Sequence, residues 1–431
     1  MSRVVLAVSL GVFSLVAAGL AGGARPETRS APLPIAASEL QLPQLLGFVD
    51  GSLARIDPET LRPRPGKRIP VGSGGCAARQ GGTACWAVPP WAISPDAARL
   101  AVARNLSSSI RVVDARRMRV TADIRVGGGA LGAVAWLAGG RLLALQEAGS
   151  ERQRLVAVDL ASKRLVARRA LGGAVMQVAR TPRELLMVVA PAQAIGRARI
   201  AVADRRGVVR FAALERILAG SKLLGTGSDH RVDSRTPGLA VDPEGRRAYV
   251  VGQDLVAEVD LRSLAVSYRS LARPRSLFAR LRNWLEPVAD AKQVSGYSRM
   301  ARWLGGGLLA VSGADTEQGT TRAAGLQVVD TQRWNVRTID RAASHVVVAG
   351  DLLLTTGTAV TAYSFDGERR FRLFDGGNAW VALVHSGRAY VGVSGDRPLR
   401  IVDLSSGRVI GERDTPLPWL VRGAAAGWWA P

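Results

Sequence analysis

The sequence predicts an all-β protein built from repeated four-stranded units, and three observations support this fold class. The first is residues 94–128, in which four short apolar segments alternate with turn residues. The second is that an apolar segment closed by Asp, with a turn after it, recurs along the chain. The third is composition, because 48 glycines, 21 prolines and only 5% aromatic residues are typical of short strands joined by tight turns.

The recurring Asp is predicted to end a strand, because its short carboxylate can accept hydrogen bonds from backbone N–H groups of the following turn. A further pair of apolar segments, joined by a tight turn, precedes most of these marks, as a β-hairpin requires. The marks are Asp57, Asp114, Asp159, Asp204, Asp260, Asp330, Asp366 and Asp403. The successive spacings between them are therefore 57, 45, 45, 56, 70, 36 and 37 residues.

A period of roughly 36–45 residues with four strands per unit indicates a β-propeller, whose blades stack around a central axis. The marks predict seven or eight four-stranded blades over residues 45–424, with insertions where the spacing is longer. The first unit lacks a partner strand, and residues 417–422 are predicted to supply it and close the ring. Residues 425–431 are predicted to form a C-terminal tail.

The N-terminal residues have the layout of a secretory signal peptide, with Arg3, an apolar run over residues 4–20 and small residues after it. We expect residues 1–24 to be removed and residues 25–44 to form a linker. An uncleaved membrane anchor is the alternative, since the run approaches the length that spans a bilayer. Cleavage predicts a secreted or envelope-associated protein without a stable membrane span.

The chain has two cysteines, Cys76 and Cys85, in a glycine-rich segment. In an exported protein two cysteines at this spacing predict a single disulfide, and a metal site would need more ligands than this segment offers.

The charge is strongly basic, with 58 Lys and Arg against 35 Asp and Glu, a formal net charge of +23. One interpretation is a polyanionic partner, and the other is an arginine-rich composition inherited from a GC-rich genome. The arginines are spread through every repeat, whereas a nucleic-acid footprint requires clustering on one face, so nucleic acid is not predicted. The predicted partner is a protein or an anionic envelope ligand, and the predicted oligomeric state is a monomer.

Residues 271–299 interrupt the strand pattern and predict a short helix that begins at Ser276 and ends or kinks at Pro287. One interpretation is a lid over the central opening that presents arginines to an anionic ligand. The other is a helix that covers the outer edge of a blade. The candidate binding residues in this insertion are Arg273, Arg275, Arg280, Arg282 and Trp284.

A second insertion, residues 222–237, contains the candidate binding residues Asp229, His230 and Asp233. Their oxygen and imidazole atoms suit a cation, but Arg231 and Arg235 lie among them, so an ordinary polar loop is the alternative. No metal and no cofactor is predicted. The sequence contains no nucleophile elbow, phosphate-binding loop or His-Glu-x-x-His motif, and no catalytic residue is assigned.

Residues 94–128 and 242–271 resemble the YVTN-type repeats of secreted bacterial β-propellers in their turn, strand, Val-Asp strand and turn order. The chain departs from that pattern at residues 101–103 and 248–250, where Ala-Val-Ala and Ala-Tyr-Val replace part of the motif. The resemblance covers residues 45–424 and implies the fold and export, but no catalytic residue. The function predicted is a non-enzymatic binding scaffold of the bacterial envelope or extracellular space. The alternative is a propeller enzyme, a lyase or hydrolase, with its site in the central funnel.

Overall fold

The computed structural model describes residues 35–36, 44–72, 75–79, 82–86, 90–104, 108–148, 153–192, 194–224, 231–271, 294–317, 320–393, 399–413 and 419–420. The regular secondary structure in these residues is entirely β-strand, as the repeat pattern predicts. The helix predicted from Ser276 to Pro287 lies outside the described residues.

The strands are short, and successive strands pair as antiparallel meanders. In chain order they are β1 (Ile35–Ala36), β2 (Leu46–Val49), β3 (Ser52–Arg55), β4 (Ile69–Pro70), β5 (Gly75–Arg79), β6 (Gly82–Trp86), β7 (Trp91–Ile93), β8 (Arg99–Arg104), β9 (Ser109–Asp114), β10 (Arg119–Arg125), β11 (Leu131–Leu137), β12 (Arg141–Glu147), β13 (Gln153–Asp159), β14 (Arg164–Ala170), β15 (Ala174–Arg180), β16 (Glu184–Ala190), β17 (Gly196–Asp204), β18 (Val209–Leu224), β19 (Arg231–Thr236), β20 (Gly238–Val241), β21 (Arg247–Val251), β22 (Leu255–Asp260), β23 (Val266–Ser270), β24 (Val294–Gly305), β25 (Leu308–Glu317), β26 (Thr320–Ala323), β27 (Leu326–Asp330), β28 (Asn335–Asp340), β29 (His345–Ala349), β30 (Leu352–Thr356), β31 (Val360–Ser364), β32 (Arg369–Leu373), β33 (Ala379–His385), β34 (Arg388–Val393), β35 (Leu399–Asp403), β36 (Arg408–Arg413) and β37 (Trp419–Leu420).

Six separate four-stranded sheets form blades in the described part of the chain, where the sequence predicted seven or eight. They are β37-β2-β3-β4, β7–β10, β11–β14, β20–β23, β29–β32 and β33–β36. The strand sets β15–β18 and β24-β25-β27-β28 are not separate sheets, because β19 joins them into one eleven-stranded sheet that also includes β1 and β26. The spacing of the Asp residues gives the number of repeats, but it does not show that long strands join two of these repeats into one sheet.

The two ends of the chain share one blade, which confirms the prediction that residues 417–422 complete the first unit. In the antiparallel pair of β2 and β37, Phe48 lies opposite Trp419. The Tyr390 hydroxyl also donates a hydrogen bond of 2.9 Å to the carbonyl oxygen of Pro58. The first and last units are therefore held together by strand pairing and by side-chain contacts.

Apolar side chains are buried mainly between neighbouring strand sets. Trp136 of β11, for example, is 1% exposed and packs in a cluster with Ile110 and Val112 of β9 in the preceding blade. A comparable cluster joins the last blade to the first through Leu383 and Leu61. The first strands of neighbouring sets also contact one another, β7 with β11 and β20 with β24 among them, so these strands line the axis.

The recurring Asp residues have the structural role that the sequence predicts. Asp114 accepts a hydrogen bond of 2.8 Å from the backbone N–H of Arg117, and Asp260 accepts one of 2.7 Å from that of Ser263. These bonds from backbone N–H groups are the main reason that the pKa of both carboxyl groups lies below its ordinary value. In Asp403 the Ser405 hydroxyl is the larger cause, and the pKa falls to about 2.

Because the strands of each set alternate in direction, the connections divide between two faces of the ring. The turns between first and second strands and between third and fourth strands lie on one face, the turn face. From β7 onward, none of these turns is longer than five residues. The opposite face, called here the extension face, carries the remaining connections, including the long ones from β4 to β7, β18 to β20, β23 to β24 and β25 to β27.

Candidate functional site

A small sheet continues beyond the blades on the extension face. The strand β18 is 16 residues long, β24 has 12 and β25 has 10, whereas the separate blades have strands of two to seven residues. The pairing of β18 with β17 shifts between Leu214 and Leu218, and its last five residues, 220–224, continue beyond the blade to pair with β19. We name this structure the extension sheet, and it consists of residues 220–224, 231–236, 294–298, 313–317 and 320–323.

The extension sheet brings together the described parts of the two predicted insertions. β19 pairs in parallel with β24, so that Arg235 lies opposite Tyr297 and Thr236 opposite Ser298. Since the other edge of β24 is occupied by β25, β19 stands at the edge of β24 that faces the axis. A strand from the first insertion therefore reaches the central opening beside the end of the second.

The structure locates one of the predicted binding residues. Asp233 is partly buried in β19 and lies opposite Lys222 of β18. The side chains of the other predicted binding residues lie outside the described residues: Asp229, His230, Arg273, Arg275, Arg280, Arg282 and Trp284. Among the described residues there is no group of three His, Cys, Asp or Glu that would hold a metal ion.

Arg299 occupies the point where the extension sheet meets the blades. Its side chain is 4% exposed and forms an ion pair of 2.7 Å with Asp315. The guanidinium also donates to the backbone carbonyls of Gln253 and Ala314 at 3.1 and 2.9 Å, and its central carbon lies 5.5 Å from the centre of the Tyr297 ring. Tyr297 is 5% exposed, and this burial raises the pKa of its hydroxyl.

A polar cavity of about 130 Å³ lies beside the ion pair of Arg299 and Asp315. Its polar lining includes Gln253, Asp254, Arg299, Asp315 and Gln327. These residues belong to two neighbouring strand sets and to the connections on the extension face. Sequence reasoning did not identify this cavity, because its residues are scattered among ordinary blade repeats.

Removing the partner of Arg299 should destabilise the fold more than removing the partner of an exposed arginine. Because Asp315 is 31% exposed, we expect Asp315→Ala to lower the free energy of unfolding by about 2 kcal/mol, below the range for fully buried pairs. A double-mutant cycle with Arg299→Gln, measured by urea unfolding, should give a coupling energy of about 1 kcal/mol or more. The same cycle at the exposed pair Arg197 and Glu215 should give roughly 0.5 kcal/mol or less. Equal couplings at the two pairs would contradict a structural role for Arg299.

Comparison with known proteins supports the fold. The chain matches no family model and no curated protein, so the resemblance to YVTN-type repeats is not confirmed as family membership. The structure of the dihydro-heme d1 dehydrogenase NirN in complex with DHE is 15% identical in sequence, with a TM-score of 0.53 over 93% of this chain and 80% of that chain. BamB from Moraxella catarrhalis is 14% identical, with a TM-score of 0.45 over 75% and 84% of the two chains. The β-propeller domain of Cps50 (Swd1) from Myceliophteria thermophila is 11% identical, with a TM-score of 0.40 over 74% and 94%.

At these identities the similarity concerns the fold alone, and it agrees with the β-propeller that the strands form. The described residues include no helix with the length and apolar character that crossing a membrane requires.

Proposed function

We propose that this chain is an exported β-propeller that binds a protein or an anionic ligand of the cell envelope through its extension face. The observation that carries the proposal is the extension sheet, which joins parts of two strand sets on the face that holds the long connections. A rigid ring whose long connections join strands on one face is the usual arrangement of a binding scaffold. The opposite face consists mainly of short turns and offers less surface for specific recognition.

The edge of the extension sheet suits recognition of an extended polypeptide. Among the described residues, β26 pairs with β25 alone, and Thr320, Arg322 and Ala323 are exposed. The outer edge of such a strand presents backbone N–H and C=O groups to which another chain can add a strand. Arg322 would add a positive charge that favours an acidic partner.

Two features of the N-terminal part support export. The apolar run over residues 4–20 has the composition of a signal peptide. The hairpin of β5 and β6 places Cys76 opposite Cys85 in the backbone register, which is compatible with the proposed disulfide. The side chains of Cys76 and Cys85 lie outside the described part of the structure, so the disulfide stays a prediction.

The proposal is tested by shortening the hairpin of β18 and β19. Lys222 lies opposite Asp233, so replacing residues 223–232 with Asn-Gly joins the two strands by a tight turn. We expect the variant to fold with a Tm within a few degrees of the wild type and to lose at least tenfold in the recovery of cross-linked envelope partners. The measurement is quantitative mass spectrometry after cross-linking in the native envelope fraction.

The matched control changes the turn face and leaves the extension sheet intact. Arg205→Ala with Arg206→Ala alters an exposed turn between β17 and β18, and we expect partner recovery to stay unchanged. If the turn-face variant lost the same partners while the shortened hairpin kept them, binding through the extension face would be wrong.

A further inference from the structure

Arg302 is a partly buried cation with no counter-charge among the described residues. It lies in β24, on a strand that lines the axis, and its Nε atom is buried without a hydrogen-bond partner among the described residues. The one hydrogen bond found for its guanidinium goes to the neighbouring carbonyl of Ala301 at 3.3 Å, and it forms no ion pair with a described carboxylate. Burial lowers its pKa to about 10, so the side chain remains protonated at neutral pH.

Ser312 lies on the same side of the sheet as Arg302. In the pair of β24 and β25, Arg302 is opposite Ala310 and Ser312 is opposite Met300, which makes Arg302 and Ser312 diagonal neighbours. Ala310 packs against Val346 of the next blade, so this side of the sheet faces β29–β32. Ser312 is 1% exposed, and its hydroxyl has no hydrogen-bond partner among the described residues.

His345 has a polar atom without a partner on the neighbouring strand set. It precedes Val346, which packs against Ala310, so by strand alternation His345 belongs to the side of β29 that faces β33–β36. It begins β29, which contacts β24, and its Nε2 atom is buried with no hydrogen bond to any described group. Burial is the main cause that lowers the pKa of His345, to about 3, and the positive charge of Arg302 adds to the effect. The imidazole is therefore neutral at physiological pH and can offer one N–H donor.

The first strands of the strand sets carry basic residues and no acidic residue, whereas β19, at the axial edge of β24, carries Asp233. The strands β7, β11, β15, β20, β24, β29, β33 and β37 contain no Asp or Glu within the bounds described above. Their basic residues are Arg180, Arg299, Arg302, His345 and His385. Asp315 neutralises Arg299, whereas Arg302 has no such partner.

We propose that the boundary between β24–β28 and β29–β32 binds a small oxyanion, a phosphate or carboxylate group, held by Arg302 and Ser312. An unpaired charge that is partly removed from water is costly, and an anion from solution would supply the missing partner. The planar guanidinium matches the oxygen atoms of such a group, and the Ser312 hydroxyl would add a hydrogen bond. This site is independent of partner binding by the extension face.

The experiment titrates the full mature chain with inorganic phosphate and, separately, with acetate at constant ionic strength. We expect one saturable site by calorimetry and a rise in Tm with the anion that binds. Arg302→Gln should weaken binding at least about tenfold, since it removes a charge-assisted contact. Binding of phosphate alone would identify a phosphate group, binding of acetate alone would identify a carboxylate, and binding of neither would overturn the proposal.

A second readout reports on the position of the anion. The chain has 3 histidines, so imidazole NMR signals are few and His345→Gln assigns the one of interest. The bound anion should shift the His345 signal and leave that of His385 unchanged. A titration that shifts neither signal would contradict the site.

The control is Arg180→Gln. Arg180 also lies on a strand that lines the axis, and burial lowers its pKa to about 10 as it does for Arg302. Unlike Arg302, it donates a hydrogen bond of 2.8 Å to the carbonyl oxygen of Trp136. Equal loss of binding in Arg180→Gln and Arg302→Gln would show general attraction to a basic chain and overturn the proposal. If Arg302→Gln does not fold, Ser312→Ala is the alternative variant, and it should weaken binding several-fold. Unchanged binding in that variant would count against the site.

Discussion

Removal of residues 414–431 is expected to lower the Tm by at least about 10 °C and to make the first blade sensitive to proteases. The truncation deletes β37, so β2 loses its pairing partner and the blade keeps three strands. The backbone groups of β2 would face the axis without partners, and the ring would have an open edge. Differential scanning calorimetry and limited proteolysis with mapping of the first cleavage sites measure the two effects.

Two further experiments separate ring closure from a general effect of shortening. Removing only residues 425–431 should leave the Tm unchanged, because these residues follow the closing strand. A synthetic peptide of residues 414–424, added to the truncated chain, should restore part of the lost Tm in a concentration-dependent way. A truncated chain that melts within 2 °C of the wild type would show that the contacts of Tyr390 and the apolar cluster of the first and last units suffice for closure.

The repeat architecture could be predicted because its signals are local. An Asp that caps a turn needs only backbone N–H groups two or three residues away, as Asp330 shows with Gln332 and Arg333 at 2.9 and 3.0 Å. The closing strand followed from the need of the first unit for a partner. Both predictions depend on short-range geometry or on strand counting, which a sequence contains.

The extension sheet could not be predicted in the same way. Gly220 lies within β18 and resembles a turn residue in the sequence, yet the strand continues through it. Its φ is +117°, and an added Cβ would lie 2.0 Å from the carbonyl oxygen of Ala194. The glycine is therefore required by a close approach of two backbone segments, and this tertiary contact leaves no periodic signal.

The residues of the proposed anion site could not be predicted from the sequence either. Arg302 and Ser312 belong to neighbouring strands, and each resembles an ordinary residue of an apolar strand in the sequence. Only the structure shows that Arg302 Nε and the Ser312 hydroxyl are buried without a hydrogen-bond partner among the described residues. Sequence reasoning instead chose the charged insertions, most of whose candidate residues lie outside the described part.

Acidification from pH 6.5 to pH 5 is expected to lower the free energy of unfolding by about 2 kcal/mol through His345 alone. The pKa of this residue is about 3 in the folded chain, against an ordinary value of 6.5. Between these values the unfolded chain binds the proton and the folded chain does not, so stability falls as the pH falls. The Asp residues with lowered pKa remain ionised in both states above pH 5 and contribute little in this range.

The contribution of His345 is obtained by difference, because other groups titrate nearby. Burial raises the pKa of Glu184, which opposes the loss, and burial also lowers the pKa of His385. Urea unfolding of the wild type and of His345→Asn at pH 5 and 7 measures the contribution of His345 to the loss of stability. His385→Asn is the matched control, and we expect it to change the acid loss less than His345→Asn does. A bound oxyanion would favour the protonated imidazole, so saturating phosphate should reduce the acid loss in the wild type and not in His345→Asn. An acid loss that is identical in the wild type and in His345→Asn would contradict a neutral His345 in the folded chain.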